Sequence, residues 1–300
     1  MIEEVPMIPE SKHVETGLMK AIVRERFGSP DVLQLKDIEK PVPNDVRGVL
    51  VKIYASSVNP ADRYDVNGMS LFLRLLLPLF RMGVGVRRPK ERQVGTDIAG
   101  RVEAVSNNVT QFKPGQKVLV NGAGGGVGTF AVQIAKSFGA EVTAVTNTGN
   151  LDLARSIGAD HVIDYTKEDF TRKGQRYDLI CDIASNHSIS DYKRIMNPNG
   201  TFVVVGWKDK IIMRLLYFAI RRPFASRGDK RFVFFIAKSN QEDLVTLKEL
   251  MEEGKILPVI DRRYTLSETA QAIKYLEEGH TRGKVIITMD HGDSNIPSRE

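Results

Sequence analysis

Apolar positions fall into two regimes along the chain. Up to residue 105 they form short runs, at 19–23, 33–37, 49–55 and 100–105, parted by turns such as Phe27-Gly28-Ser29-Pro30 and Pro41-Val42-Pro43-Asn44. Such runs predict β-strands. From Pro114-Gly115 onward the pattern changes. Val118-Leu119-Val120 is continuously apolar, as in a strand buried on both faces of a parallel sheet. Residues 130–138 follow with helical spacing and stop at Gly139. Strands are expected at 141–146, 161–164, 178–182 and 201–206, with a helix at 151–157 stopped by Gly158. Short-range alternation of strand and helix predicts an α/β fold, an open doubly wound parallel sheet of Rossmann type with ligands at the carboxyl ends of its strands. Amphipathic helices at 241–253 and 266–278 and a strand at 285–289 close the pattern.

The chemistry concentrates where the first buried strand meets its helix. Residues 122–128 read Gly122-Ala123-Gly124-Gly125-Gly126-Val127-Gly128, with Gly122, Gly125 and Gly128 in a G-x-x-G-x-x-G spacing. A tight strand-to-helix turn needs residues without Cβ, so that backbone can approach a pyrophosphate. The helix start then offers free N–H groups and a positive dipole end. Gly128 is expected to let the helix pack closely on the strand. A glycine loop alone is a weak signal, but this one stands between a buried strand and a helix in a repeating β–α array. The candidate cofactor contacts are Gly122, Gly125, Gly126, Val127 and Gly128. The second strand runs into Thr146-Asn147-Thr148-Gly149-Asn150, without the acid that NAD-selective sites use to hold the ribose hydroxyls. Thr146 and Asn147 therefore favour NADPH over NADH, with a loop that accepts both as the alternative.

The 300-residue length predicts two domains. The formal charge of +6 comes from two basic segments: residues 70–92 hold six Lys/Arg against one acid, and 207–231 hold eight against two. Both contain apolar stretches, 72–81 and 211–222, too short for a spanning helix of ~20 residues. They are read as cleft-rimming or subunit-contact segments, with peripheral attachment to anionic membrane as the alternative; no nucleic-acid partner is expected. Cys181 is the sole cysteine, which rules out an intrachain disulfide and a cysteine-rich zinc site. The five histidines (13, 161, 187, 280 and 291) show no zinc-ligand spacing. A cytoplasmic location is expected, and residues 1–18 are read as a disordered lead without a secretory signal.

Several pieces together carry a resemblance: Met19-Lys20-Ala21, Ser57-Val58-Asn59-Pro60-Ala61-Asp62, Val94-Gly95-Thr96-Asp97-Ile98-Ala99-Gly100, Phe112-Lys113-Pro114-Gly115, the glycine loop, Gly158-Ala159-Asp160 with Asp164-Tyr165, and Gly279-His280 with Arg282-Gly283-Lys284. In this order they resemble the medium-chain dehydrogenase/reductase superfamily, in its zinc-free quinone oxidoreductase (ζ-crystallin-like) branch, over nearly all of residues 19–290. The resemblance implies a GroES-like β-rich catalytic domain over 19–115, a Rossmann cofactor domain over 116–261, and a return to the catalytic domain and tail over 262–300. It implies an active cleft between the two domains. It also implies that Tyr165 lies near the adenosine phosphate and that Phe234 and Phe235 reach toward the nicotinamide. Asn59 is placed near the nicotinamide and substrate, with a turn-forming Asn before Pro60 as the alternative. Tyr64 is a second catalytic candidate, for orienting a carbonyl or donating a proton.

One departure stands out. In the family the Lys-Pro-Gly turn leads into further catalytic-domain strands. Here Phe112-Lys113-Pro114-Gly115 runs directly into Gln116-Lys117-Val118. A block of several tens of residues is expected to be missing, truncating the catalytic domain. The expected activity is NADPH-dependent, zinc-independent hydride transfer to a quinone or an α,β-unsaturated carbonyl. The alternatives are a catalytically impaired NADPH-binding paralogue and a membrane-associated protein; a homodimer is left open.

Overall fold

The structure is a computed structural model that describes residues 17–41, 53–68, 115–184, 186–205, 229–234 and 241–289. The expected strand at 100–105, the basic segments 72–81 and 211–222, and Phe235 lie outside the described residues, as does all but the end of the strand expected at 49–55. The chain divides into two compact units: Met1–Arg101 with Arg263–Glu277 and Ile286–Glu300, and Val102–Arg262 with Glu278–Val285.

In the first unit β1 (Leu18–Arg24) and β2 (Leu33–Glu39) form an antiparallel hairpin, with Leu18 opposite Glu39 and Arg24 opposite Leu33. Leu18, expected in the lead, instead joins the ladder, and the Lys40 N–H donates to the Gly17 carbonyl at 2.9 Å. β3 (Ala55–Val58) leads into α1 (Pro60–Asn67), which the apolar pattern did not reveal. Proline at the first helical position needs no hydrogen-bond partner there. The Asp62 carboxylate accepts the Asn59 N–H at 2.7 Å and closes the helix start.

The second unit is built on a six-stranded parallel sheet. Its strands are β4 (Lys117–Asn121), β5 (Glu141–Thr146), β6 (His161–Asp164), β7 (Tyr177–Asp182), β8 (Met196–Val204) and β9 (Arg231–Phe234), in the order β6-β5-β4-β7-β8-β9. All five pairings are parallel. The helices are α2 (Gly128–Ser137), α3 (Leu151–Ser156) and α4 (Ile189–Arg194). Side chains alternate across the sheet. Val118 and Val120 therefore pack with Val132 and Ala135 of α2 on one face, while Leu119 packs with Tyr192 of α4 and Phe202 on the other. Burial on both faces is the physical source of the continuous apolar run at β4. β8 starts five residues before the strand expected at 201–206. Its first residues run through a turn with Asn199 at φ 61°, held by the Asn197 amide donating to Asp178 at 2.8 Å.

α5 (Gln241–Glu252) precedes β10 (Ile260–Thr265), a largely exposed strand that the alternation did not reveal. The helix expected at 266–278 is interrupted. A 3-10 turn at Leu266–Glu268, closed by a Thr265–Glu268 capping box, comes before α6 (Thr269–Glu277). β11 (Lys284–Thr288) ends the described chain, and the sheet order is β10-β11-β3. Residues 278–285 group with the parallel-sheet unit rather than returning to the catalytic domain, because backbone bonds tie them to the glycine loop.

Candidate functional site

At the carboxyl end of β4 the backbone turns sharply. Gly122 adopts φ 94°, and the N–H groups of Gly122 and Ala123 both donate to the Val145 carbonyl, at 3.1 and 3.0 Å. Each glycine that follows has its own reason. A Cβ on Gly124 would collide with the Asn150 amide and would sit 2.7 Å from the Thr146 hydroxyl. A Cβ on Gly128 would collide with the Gly122 carbonyl oxygen and lie 2.7 Å from Ala123 Cα, so the close approach of helix to strand is real. A Cβ on Gly126 would meet only the Lys284 side chain at 2.7 Å and the Gly283 carbonyl at 3.3 Å. Gly125 differs. Its φ lies outside the left-handed region, and its Cβ would touch nothing nearer than the Gly122 carbonyl at 3.8 Å. Nothing in the chain requires glycine there.

The helix start is equally open. α2 has Val127 at its N-cap with no side-chain hydrogen bond. Among the described residues the N–H groups of Val127 and Gly128 make no hydrogen bond, whereas the Thr129 N–H is used by the Gly125 carbonyl at 3.0 Å and the Gly126 N–H faces the Gly283 carbonyl in the parallel Gly125–Gly283 bridge. Two unused donors at the positive end of a helix suit a diphosphate. Val127 and Tyr165 are both large and exposed, at 49% and 44%, at the ends of neighbouring loops.

The next loop holds the second half of the site. Thr146 is buried at the end of β5. Asn147 follows with its side-chain Oδ1 buried and without a hydrogen-bond partner. Asp164, at the end of β6, organises this loop from below. It accepts from the hydroxyls of Thr148 at 2.5 Å and Thr166 at 2.6 Å, and from the Thr166 N–H at 3.0 Å. Those hydrogen bonds, with Lys167 at 3.5 Å, hold its carboxyl down at about 2. The Tyr165 N–H donates to the Thr146 carbonyl at 3.0 Å, which joins the β5 and β6 ends. An open glycine cradle, free helix-start donors and an orphaned acceptor on the ribose-side loop fit a dinucleotide cofactor.

Between β4 and β7, where the strand order reverses, a buried polar cluster sets the floor. The Asn121 amide donates to Asp182 at 2.8 Å and to Asn186 at 3.0 Å, and lies 3.3 Å from the Tyr192 hydroxyl. Asp182 is fully buried. Burial, and then Asp182, push the Cys181 thiol up to about 12, so this cysteine is unreactive.

The structure thus brings together Gly122, Gly125, Gly126, Val127, Gly128, Thr146, Asn147 and Tyr165. Asn59 and Tyr64 belong to the other unit, Asn59 immediately before α1 and Tyr64 within it. Phe234 ends β9, three strands from β4, which is roughly 14 Å at ~4.8 Å per strand. Sequence reasoning missed Gly124, Asp164 and the Asn121–Asp182 pair. Only Gly124 carried a local signal, as a further glycine of the same loop. Among the described residues no three His, Cys, Asp or Glu stand together as a metal site.

Comparison with known proteins supplies the lineage. The family model described as alcohol dehydrogenase GroES-like domain matches residues 45–149, and that described as zinc-binding dehydrogenase matches residues 157–287. The first match runs past residue 115 across β4 and β5. The parallel pairing of Val118 with Val142 assigns those strands to the cofactor sheet instead. The chloroplastic quinone-oxidoreductase QR1 of Triphysaria versicolor is 28% identical, over 90% of this chain and 98% of the plant protein. That alignment spans 341 positions while taking up 90% of 300 residues, so the plant protein carries residues inside the aligned span that this chain lacks. The trans-enoyl reductase pgmF of Aspergillus terreus is 36% identical over 59% of this chain and 52% of the fungal protein, about half its length. The structure of the quinone oxidoreductase from Coxiella burnetii has the same fold, with a TM-score of 0.68 at 24% identity, covering 91% of this chain and 100% of that one. The chain belongs to the medium-chain dehydrogenase/reductase superfamily, on its quinone oxidoreductase branch, a lineage of NAD(P)H-dependent oxidoreductases that act on small molecules.

Proposed function

We propose that the chain is an NADPH-dependent, zinc-independent reductase that delivers hydride to a quinone or an α,β-unsaturated carbonyl. The observation that carries this reading is Gly125, a glycine that the chain itself does not require, beside the unused helix-start N–H groups of Val127 and Gly128. The relatives named as a quinone oxidoreductase and a trans-enoyl reductase support the two substrate classes. The uncharged loop 146–150 supports NADPH over NADH, because no carboxylate stands there to hold the ribose diol and repel a 2′-phosphate.

When bound, the cofactor supplies the hydride. The chain's own task is to bind and orient. The N–H groups of Val127 and Gly128 would hold the diphosphate, with Gly125 and Gly126 leaving it room to approach, and the loop anchored by Asp164 would hold the adenosine ribose. Asn59 polarises the substrate carbonyl by hydrogen bonding, and Tyr64 donates the proton that accompanies the hydride and is reprotonated from solvent. A cytoplasmic location belongs to the same proposal, with the basic segments 72–81 and 211–222 giving peripheral contact with anionic membrane; salt-insensitive sedimentation with anionic vesicles would count against that contact. No helix of the described residues is long and apolar enough to cross a membrane.

The test is loss of reduced-nicotinamide absorbance with purified protein and a panel of quinones and enones, beside calorimetric titration with NADPH. Binding with turnover is expected. The alignment that spans more positions than this chain fills favours a second reading, a truncated paralogue that binds NADPH without turnover. NADPH binding with no turnover across the panel selects that reading, and no binding by folded protein rejects both.

A further inference from the structure

We propose that Arg282 is the residue that reads the 2′-phosphate of the cofactor, with Asn147 accepting from the adjoining ribose hydroxyl. The inference rests on the NADPH reading above and names its determinant. The loop that would face the 2′-phosphate, residues 146–150, carries no charge. Its cation must therefore come from elsewhere in the fold. Arg282 supplies one from the far end of the chain. Its Nη2 lies 3.6 Å from the point that a Cβ on Gly149 would occupy, and Asn147 Oδ1 lies 3.6 Å from that same point. A guanidinium and an unpartnered carbonyl oxygen thus flank one uncrowded spot on the loop. A ribose with a 2′-phosphate presents the complementary pair, anionic oxygens beside a hydroxyl donor.

Two further observations separate Arg282 from a stray surface arginine. First, its backbone is fixed on both sides. The Arg282 N–H donates to Asp261 at 2.9 Å, the Gly283 N–H donates to the Gly124 carbonyl at 3.0 Å, and Gly283 forms a parallel bridge with Gly125. The arginine is held in register with the glycine loop itself. Second, its guanidinium has no hydrogen bond or ion pair among the described residues. Two other cations of this unit are engaged: Lys167 stands 3.5 Å from Asp164, and Arg155 stands 2.8 Å from Asp152. Asp164, which bonds Thr148 of this loop, is already occupied by two threonine hydroxyls and Lys167, so its repulsion of a phosphate is compensated. Arginine presents a planar fork of donors suited to phosphate, stronger than a neutral hydrogen bond.

Calorimetry with NADPH, NADH, 2′,5′-ADP and 5′-ADP on the full chain tests this. R282A is expected to weaken NADPH and 2′,5′-ADP by about ten- to a hundredfold, the range of a hydrogen-bonded charge. It is expected to leave NADH and 5′-ADP unchanged and to melt at the wild-type temperature, since the side chain is exposed. R282K should recover part of the loss, because it restores the charge without the fork. Equal losses for phosphorylated and unphosphorylated nucleotides, or no loss at all, overturn the assignment while leaving the cofactor reading intact. If folded wild-type protein binds neither NADPH nor NADH, both fall together.

Discussion

The glycines of the loop do different work, and the difference can be measured. Gly128 is required by the chain itself, because a methyl group there would strike the Gly122 carbonyl and Ala123 Cα. G128A should therefore cost about 1–3 kcal/mol of stability, as overpacking does. Gly125 is not required by the chain, and at such a site Gly→Ala changes stability by less than about 1 kcal/mol and can raise it by restricting the unfolded state. G125A should instead lose nucleotide binding while keeping its melting temperature. Denaturant unfolding and calorimetry on the two variants separate the roles, and G125A binding NADPH as wild type would remove the main support for a cofactor site.

At the scale of elements, the site depends on loops tied to one another across strands. Asp164 at the end of β6 bonds Thr148 in the loop after β5, and the Tyr165 N–H bonds the end of β5. Gln133 on α2 does the same over a longer range, donating to the Leu257 carbonyl at 3.0 Å and accepting its N–H at 2.8 Å. The Asp164 tie has a pH signature. The Thr148 hydroxyl, then that of Thr166, lowers its carboxyl from the ordinary 3.8 to about 2 in the folded protein. A carboxyl lowered by folding stabilises at pH values above its unfolded pKa, and that stabilisation is lost as pH falls through the folded value. Wild-type stability should therefore fall between pH 4 and about 2 more steeply than that of D164N. Chemical unfolding across that window checks it, and parallel curves for the two proteins would show that the tie contributes nothing.

For the whole molecule, the consequential feature is that residues 278–285 join the cofactor unit. Gly283 sits at φ 103°, where a side chain is strained, and its Cβ would collide with the Val259 carbonyl and lie 2.8 Å from Val259 Cγ1. G283V should unseat this segment from the glycine loop. Wild-type protein at NADPH concentrations one hundred times its Kd should gain about 2.7 kcal/mol of unfolding free energy. G283V at the same NADPH concentration should gain markedly less. Denaturant curves with and without NADPH measure both, and an equal gain in the two proteins would detach the C-terminal segment from cofactor binding.

The residues themselves determined the doubly wound unit. Val118-Leu119-Val120 could only be buried on both faces, the glycine loop stood in its strand–helix context, and the repeating β–α spacing left little freedom in the order of elements. Local pattern could not reach α4, whose six residues are shorter than the window a helical period needs, or β10, whose largely exposed side chains leave no apolar alternation to read. Asn59 could be read as a catalytic or a turn residue; the structure adds that its backbone N–H is held by Asp62, which leaves the role proposed for its side chain to experiment. The collisions that make Gly124 obligatory, the hydroxyls gathered on Asp164 and the approach of Arg282 to Gly149 were decided by tertiary structure alone. Each joins residues distant in sequence, and a contact made by folding leaves no periodicity at either end.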